Sequence, residues 1–124
     1  MDIKKIIQEA YDAVIRQGGP SMDSTGCCYR GEGGRKCIIG HMIPDKYYHG
    51  DMEDKRVEAV MESFKVPTLE AFNLRIHVLN ELQLAHDRAA LGALPGPRRD
   101  EEFLALFKER IAKLSLRFNL GLEV

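Results

Sequence analysis

The chain has 124 residues, the size of one typical domain, so we predict a single domain spanning residues 1–124. Hydrophobic residues make up 44% of the sequence and charged residues 30%, a balance that supports a packed core and excludes an intrinsically disordered chain. The 18 basic residues are opposed by 19 acidic ones, and the formal charge of −1 argues against binding to nucleic acid or to an anionic membrane.

The N-terminal segment and the cysteines indicate where the protein acts. Charged residues such as Lys4, Lys5 and Glu9 interrupt the apolar centre that a secretory signal needs. No stretch approaches the ~18 uninterrupted apolar residues of a bilayer span. Three cysteines are an odd number, which favours free thiols in a reducing compartment over a disulfide framework. We therefore expect a soluble, cytoplasmic protein without a membrane partner.

The first predicted element is an amphipathic helix over residues 2–17. Asp2 is placed to cap its start, and Gly18 with Pro20 stops it, because glycine accepts the left-handed geometry after a helix and proline cannot continue one. Its apolar residues recur at helical spacing, at Ile3, Ile6, Ile7, Ala10, Tyr11, Val14 and Ile15.

A β-hairpin is predicted next. Two short strands, residues 27–30 and 35–39, flank the glycine-rich residues 31–34, and glycines supply the positive φ angles that tight turns need. A three-residue loop with a bulge would place Tyr29 opposite Cys37. Cys27, Tyr29, Cys37 and Ile39 would then share one face of the hairpin.

Three more helices complete an α+β fold that is mostly helical, with about four helices and one hairpin packed on the long third helix. Asp45 is predicted to cap a short turn, and the second helix to cover residues 52–64. The third helix, capped by Thr68, is predicted from Leu69 to about Leu91. After a linker rich in glycine and proline, Asp100 is predicted to cap the last helix.

Polar residues interrupt the apolar face of the third helix. On a helical wheel Leu74, Val78 and Leu82 define an apolar arc that also contains Gln83 and His86. A polar group removed from water costs about 1–3 kcal/mol unless it finds a partner, so these side chains must be hydrogen-bonded or line an opening. A cleft is one interpretation, and hydrogen bonding to backbone carbonyls near the helix end is the interpretation that we favour.

Sulfur and imidazole groups offer two further hypotheses. Zinc is the metal to consider, and Cys27, Cys37, His41 and His86 are its candidate ligands, but the chain has no Cys-x-x-Cys pair, so we favour buried thiols and no cofactor. A nucleophilic thiol needs a base and a group that orients the base. Cys37 or Cys27, with His86 and Asp87, would supply these three residue types.

Two segments carry a resemblance to a known group of proteins, CCYRGEGGRKCIIGHMIPDKYY at residues 27–48 and ELQLAHD at residues 81–87. They resemble a family of small phage, prophage and proteobacterial proteins that share C-x-Y-R-G, K-C-x-x-G-x-x-I-P-D-x-x-Y and L-Q-x-x-H-D. The resemblance supplies no activity, but it implies that the hairpin and the end of the third helix belong together. Two sets of candidates match these motifs. The candidate binding residues are Cys27, Tyr29, Arg30, Asp45, Tyr48 and Gln83, and the candidate catalytic residues are Cys37, His86 and Asp87.

Two functions from different classes remain open at this stage. We favour a phage- or prophage-type accessory protein that acts as a non-catalytic binding module on a host or phage protein, with inhibition as one outcome. Small size, a nearly neutral charge and the lack of a complete catalytic motif favour it. The alternative is a thiol- or metal-assisted enzyme centred on Cys37 and His86. The sequence leaves a homo-oligomer open.

Overall fold

A computed structural model describes residues 2–124, and within them helices dominate. The elements are α1 (Ile3–Gln17), β1 (Met22–Asp23), β2 (Gly26–Cys27), α2 (Val57–Ser63), α3 (Pro67–Glu70), α4 (Ile76–Gly92) and α5 (Arg99–Arg117). Short 3-10 turns lie at Glu32–Gly34, Gly40–Met42, Asp45–Tyr47, Gly50–Met52 and Asn73–Arg75. The predicted α+β class with mostly helical content is confirmed.

Helix α1 forms as its local sequence dictates. The Asp2 side chain accepts a hydrogen bond from the Lys5 amide at 3.3 Å, and Gly18 ends the helix with a left-handed φ of 89°. Ile7, Ala10, Tyr11 and Val14 are buried on its inner face. Both predicted caps are therefore confirmed.

The predicted chain reversal at residues 31–34 is confirmed, but it does not form a regular two-stranded sheet. The two-stranded sheet lies earlier, where Met22 pairs with Cys27 and Asp23 with Gly26 around a tight turn. At the glycine-rich loop the chain also reverses, but only one bridge forms there, between Arg30 and Lys36.

The segment after that bridge is not a strand, because the chain turns away before a second bridge forms. Cys37, Ile38 and Ile39 are all buried, and the chain turns at once into the Gly40–Met42 turn. The predicted pairing of Tyr29 with Cys37 is correct, since the Cys37 amide donates to the Tyr29 carbonyl at 3.2 Å.

The predicted second and third helices are both too long. Helix α2 begins only at Val57, and the predicted third helix is broken into α3 and α4 by the Asn73–Arg75 turn. Pro67 opens α3, and the Thr68 hydroxyl donates to the Met42 carbonyl instead of capping a helix. The break changes the phase of the helical pattern, and as a result Leu74 is 97% exposed rather than buried.

Two predicted caps have other roles. Asp45 lies inside its 3-10 turn and forms ion pairs with Arg30 and Lys36, at 2.8 and 3.7 Å. Asp100 lies in the first turn of α5 and holds Arg35 through two hydrogen bonds of 2.9 and 2.8 Å. Both carboxylates therefore connect distant parts of the chain instead of ending a helix.

One hydrophobic cluster connects α1, α4 and α5 with the segment between α1 and α2. Helices α4 and α5 pack along their length, and the Phe103, Phe107 and Tyr11 rings stack between α5 and α1. The fully buried side chains include Ile7, Ile38, Ile39, Met52, Leu69, Phe72, Leu79, Leu82 and Ile111. No helix in residues 2–124 has the length and apolar character needed to cross a membrane.

Candidate binding cleft

His86 on α4 joins the N-terminal segment to the helix. Its ring is fully buried against the Phe103 and Phe107 rings, at centroid distances of 5.3 and 6.3 Å. The Ser21 amide donates to Nε2 at 3.1 Å, and Nδ1 lies 2.9 Å from Asp87 Oδ1. A backbone N–H can only donate, so Nε2 carries no proton and Nδ1 donates its proton to Asp87. The imidazole is therefore neutral, with a defined tautomer.

This tautomer limits the chemistry of His86. Both ring nitrogens are occupied, so neither is free to take a proton from a thiol. A metal on Nδ1 would require the proton to move to Nε2, where it would face the Ser21 N–H. In metal-bound histidines the second ring N–H usually faces an acceptor, not another donor. His86 is therefore suited to hold Asp87 rather than to act as a base or a ligand.

The three thiols are not activated. Burial raises the pKa of Cys37 far above its ordinary value, and its Sγ accepts a hydrogen bond from the Gly40 amide at 3.2 Å. Burial raises the pKa of Cys27 to about 12, with a further contribution from Asp87, and burial likewise raises the pKa of Cys28 to about 12. Since the thiolate is the nucleophile, these cysteines are poor nucleophiles at neutral pH.

The predicted metal ligands do not all come together. Among residues 2–124, one group of three offers ligand atoms within 4.8 Å of one another, Cys27, His86 and Asp87. His41 is elsewhere, with Nε2 2.8 Å from Gln17 Oε1, and burial together with nearby cations lowers its pKa to about 4. Cys37 also lies outside the group. Of the four candidate ligands Cys27, Cys37, His41 and His86, the structure therefore brings Cys27 and His86 together and leaves Cys37 and His41 outside the group.

Glu53 organises the site, although no sequence pattern singled it out. Its Oε1 accepts the Tyr29 amide at 2.9 Å, and its Oε2 accepts the Arg30 amide at 3.1 Å and the Tyr48 hydroxyl at 2.7 Å. The signal was weak, because one glutamate in the run MEDK looks like any solvated acid. The chain has to fold back between Arg30 and Tyr48 to bring its three donors together.

Arg30, Asp45 and Tyr48 form a second cluster behind Glu53. The Arg30 guanidinium pairs with Asp45 at 2.8 Å, donates to the Ile43 carbonyl at 3.1 Å and lies over the Tyr48 ring at 4.2 Å from its centroid. Cation–π and ion-pair contacts of this kind hold the guanidinium in place. These residues support the segment that carries Tyr29.

A cleft of about 550 Å³ opens between this segment and α4. The Tyr29 hydroxyl donates to the Lys55 carbonyl at 2.6 Å and accepts from Gln83 Nε2 at 3.0 Å, while Gln83 Oε1 accepts the Val57 amide at 3.4 Å. These bonds fix both walls. The lining residues are Cys27, Cys28, Tyr29, Cys37, Glu53, Asp54, Lys55, Arg56, Glu58, Asn80, Gln83, Leu84 and Asp87.

The candidate site residues therefore divide into two groups. Cys27, Tyr29, Cys37, Gln83 and Asp87 line the cleft, and His86 lies behind Asp87. The candidates outside the lining are Arg30, His41, Asp45 and Tyr48. Comparison with known proteins gives no match to any protein family, curated protein or solved structure.

Proposed function

We propose that the protein is a non-catalytic binding module of the cytoplasm and that the cleft beside α4 receives part of a partner protein. The observation that carries this proposal is a recess of about 550 Å³ whose walls are fixed by hydrogen bonds of Tyr29 and Gln83. Preformed recesses with a mixed polar and apolar lining are the usual form of binding sites. In keeping with the resemblance to phage proteins, the proposed partner is a host protein whose surface the module occupies.

The state of the polar groups supports binding over chemistry. His86 uses both ring nitrogens, and the thiols that line the cleft have a raised pKa. A rigid, satisfied set of side chains lowers the entropic cost of binding, whereas acid–base catalysis needs a group that is free to exchange a proton.

Capture of a partner by variants with a substitution at the edge of the cleft tests this proposal. Leu84 lines the cleft and is 37% exposed, and Leu116 on α5 is 85% exposed and lies outside it. We expect the tagged protein to retain one stoichiometric partner from a lysate of the bacterial host. Leu84→Arg should lose that partner, because the new side chain fills and charges the entrance, and Leu116→Arg should keep it. Equal capture by both variants, or no partner at all, would contradict the proposal.

A thiol- or metal-assisted enzyme is the second candidate, because Cys27, His86 and Asp87 lie within 4.8 Å of one another. Elemental analysis of the purified protein and the rate of alkylation against pH distinguish the two candidates. The binding module predicts no stoichiometric zinc and slow alkylation of all three cysteines up to about pH 9, since thiols of raised pKa stay protonated there. One zinc per chain, or a single fast cysteine at pH 7, would reverse the order of the candidates.

A further inference from the structure

We propose that the cleft recognises a basic side chain, a lysine or arginine of the partner protein, and that the Asp87 carboxylate is its counter-ion. This inference rests on the proposed function, because it names the chemistry of the segment that enters the cleft. It assigns His86 the part of a positioning residue, which holds the carboxylate without touching the incoming group.

Asp87 is held in one orientation by a hydrogen bond from its neighbour His86. Oδ1 accepts the Nδ1 proton of the fully buried His86, whose other nitrogen is held by the Ser21 amide. Asp87 itself lines the cleft and its side chain is 32% exposed. Within residues 2–124 no N–H or O–H group donates to its Oδ2, and the Cys27 thiol is the weak donor beside the carboxylate. A positioned carboxylate with one oxygen free of N–H and O–H donors, in the wall of a recess, is the arrangement that binds an ammonium or a guanidinium.

The lining of the cleft is acidic, because it contains four carboxylates and two cations, a net charge of −2. Glu53 already accepts hydrogen bonds from three groups of the protein, and Lys55 Nζ donates to the Asp51 carbonyl. The negative charges of Asp87 and of the exposed Asp54 and Glu58 outnumber the positive charge of Arg56. A recess with this field attracts a cation and repels the phosphates of nucleic acids and anionic lipids, which favours a protein partner.

The cleft also presents apolar groups near Asp87, those of Cys27 and Leu84. Leu84 lies one helical turn before Asp87, and Cys27 Sγ lies 4.0 Å from the Asp87 carbonyl oxygen. Lysine and arginine carry an apolar stem that ends in a charge, so a lining with a leucine and a thiol beside a carboxylate suits both parts of such a side chain. A bare metal ion would make no use of this wall, and the occupied nitrogens of His86 leave it few ligands.

The experiment is a titration of the ¹⁵N-labelled full chain, followed by amide chemical shifts, with three probes. Nα-acetyl-lysine methylamide and Nα-acetyl-arginine methylamide carry the charge, and Nα-acetyl-norleucine methylamide is the uncharged counterpart of lysine. We expect millimolar binding of the charged probes, with shifts confined to residues 27–29, 53–58 and 80–87. The norleucine probe should bind at least about tenfold more weakly, the factor that the loss of one charge-assisted hydrogen bond implies.

Three variants sharpen the result. Asp87→Asn keeps an oxygen for the His86 proton and removes the charge, so it should weaken the lysine probe about tenfold without unfolding the chain. Glu62→Gln, a matched loss of charge on the exposed face of α2, should leave binding unchanged. Arg56→Gln removes a competing cation at the cleft and should strengthen binding. The spectrum of each variant without probe reports whether it is folded.

The outcomes separate this inference from the proposed function. Equal shifts with norleucine and lysine, or full binding by Asp87→Asn, would overturn the role of Asp87. Binding of free putrescine in place of the lysine probe would assign the cleft to small amines and overturn a protein side chain. Partner capture that is lost in Leu84→Arg but intact in Asp87→Asn would leave the binding module standing and remove its basic contact. Binding of the lysine probe without any captured protein would contradict the binding module and support Asp87 as the counter-ion of a basic group.

Discussion

Replacing Glu53 with glutamine should loosen the segment that forms one wall of the cleft. The carboxylate accepts the Tyr29 and Arg30 amides and the Tyr48 hydroxyl on its two oxygens. In glutamine one oxygen becomes an NH₂ group, so in either orientation one backbone N–H faces another donor. The Tyr48 hydroxyl can rotate and accept, but a backbone N–H cannot.

The magnitude follows from the two backbone bonds. A donor left without an acceptor costs about 1–3 kcal/mol. The other backbone bond keeps its acceptor but becomes weaker, because a hydrogen bond to a charged acceptor contributes about 1.5–3 kcal/mol and one to a neutral acceptor about 0.5–1.5 kcal/mol. Because the site is only partly buried, we expect a loss near the lower end, about 2–3 kcal/mol of the free energy of unfolding.

Urea denaturation followed by far-ultraviolet circular dichroism measures this loss, with Glu62→Gln as the control on an exposed carboxylate. Hydrogen exchange adds a local readout, since the Tyr29 and Arg30 amides should lose protection. A Glu53→Gln variant within about 0.5 kcal/mol of the control, the range of ordinary surface changes, would show that Glu53 does not organise the segment.

Three further predictions concern stability. Gly40→Ala should cost more than about 3 kcal/mol, because its Cβ would overlap the Tyr29 carbonyl oxygen, whereas Gly50→Ala, with open space around it, should be nearly neutral in thermal unfolding. The pKa of His41 is lowered to about 4 from 6.5, so the imidazole takes up a proton on unfolding between these two pH values. The free energy of unfolding should therefore fall as the pH drops from 6.5 to 4, and urea denaturation of a His41→Asn variant should show a smaller fall. Leu74→Ser should change the free energy of unfolding by less than about 0.5 kcal/mol, while Leu69→Ala, fully buried, should cost about 2–5 kcal/mol; an equal cost for both would favour the unbroken helix.

How far the sequence predicts the fold depends on the range of the interactions involved. Helix α1 follows from a cap, a periodic face and a stop glycine that all lie within one turn of the positions they affect. The third predicted helix fails at Leu74, because a wheel assumes one continuous phase. There the side chains of Leu69 and Phe72 enter the core before the 3-10 turn, and Val78 enters it after the turn.

The candidate site was partly predictable for the same reason. The helical pattern placed Gln83 and His86 inward, and both are hydrogen-bonded as a buried polar group requires. Their partners were not the expected carbonyls near the helix end but the Tyr29 hydroxyl, the Val57 amide and the Ser21 amide. Those partners lie 26 to 65 residues away, and local pattern cannot place groups at that separation.

The direction of the hydrogen bonds explains why the cleft is suited to a donor. The bonds start at the Ser21 amide, pass through His86 and end at the Asp87 carboxylate, so the proton positions on this path are fixed by one backbone group. The charged atom with unused capacity at its end is an acceptor, Oδ2 of Asp87. An incoming acceptor would face a negative oxygen, and an incoming cationic donor would complete its coordination. The tautomer that removes His86 from catalysis is therefore also what prepares Asp87 for a basic side chain.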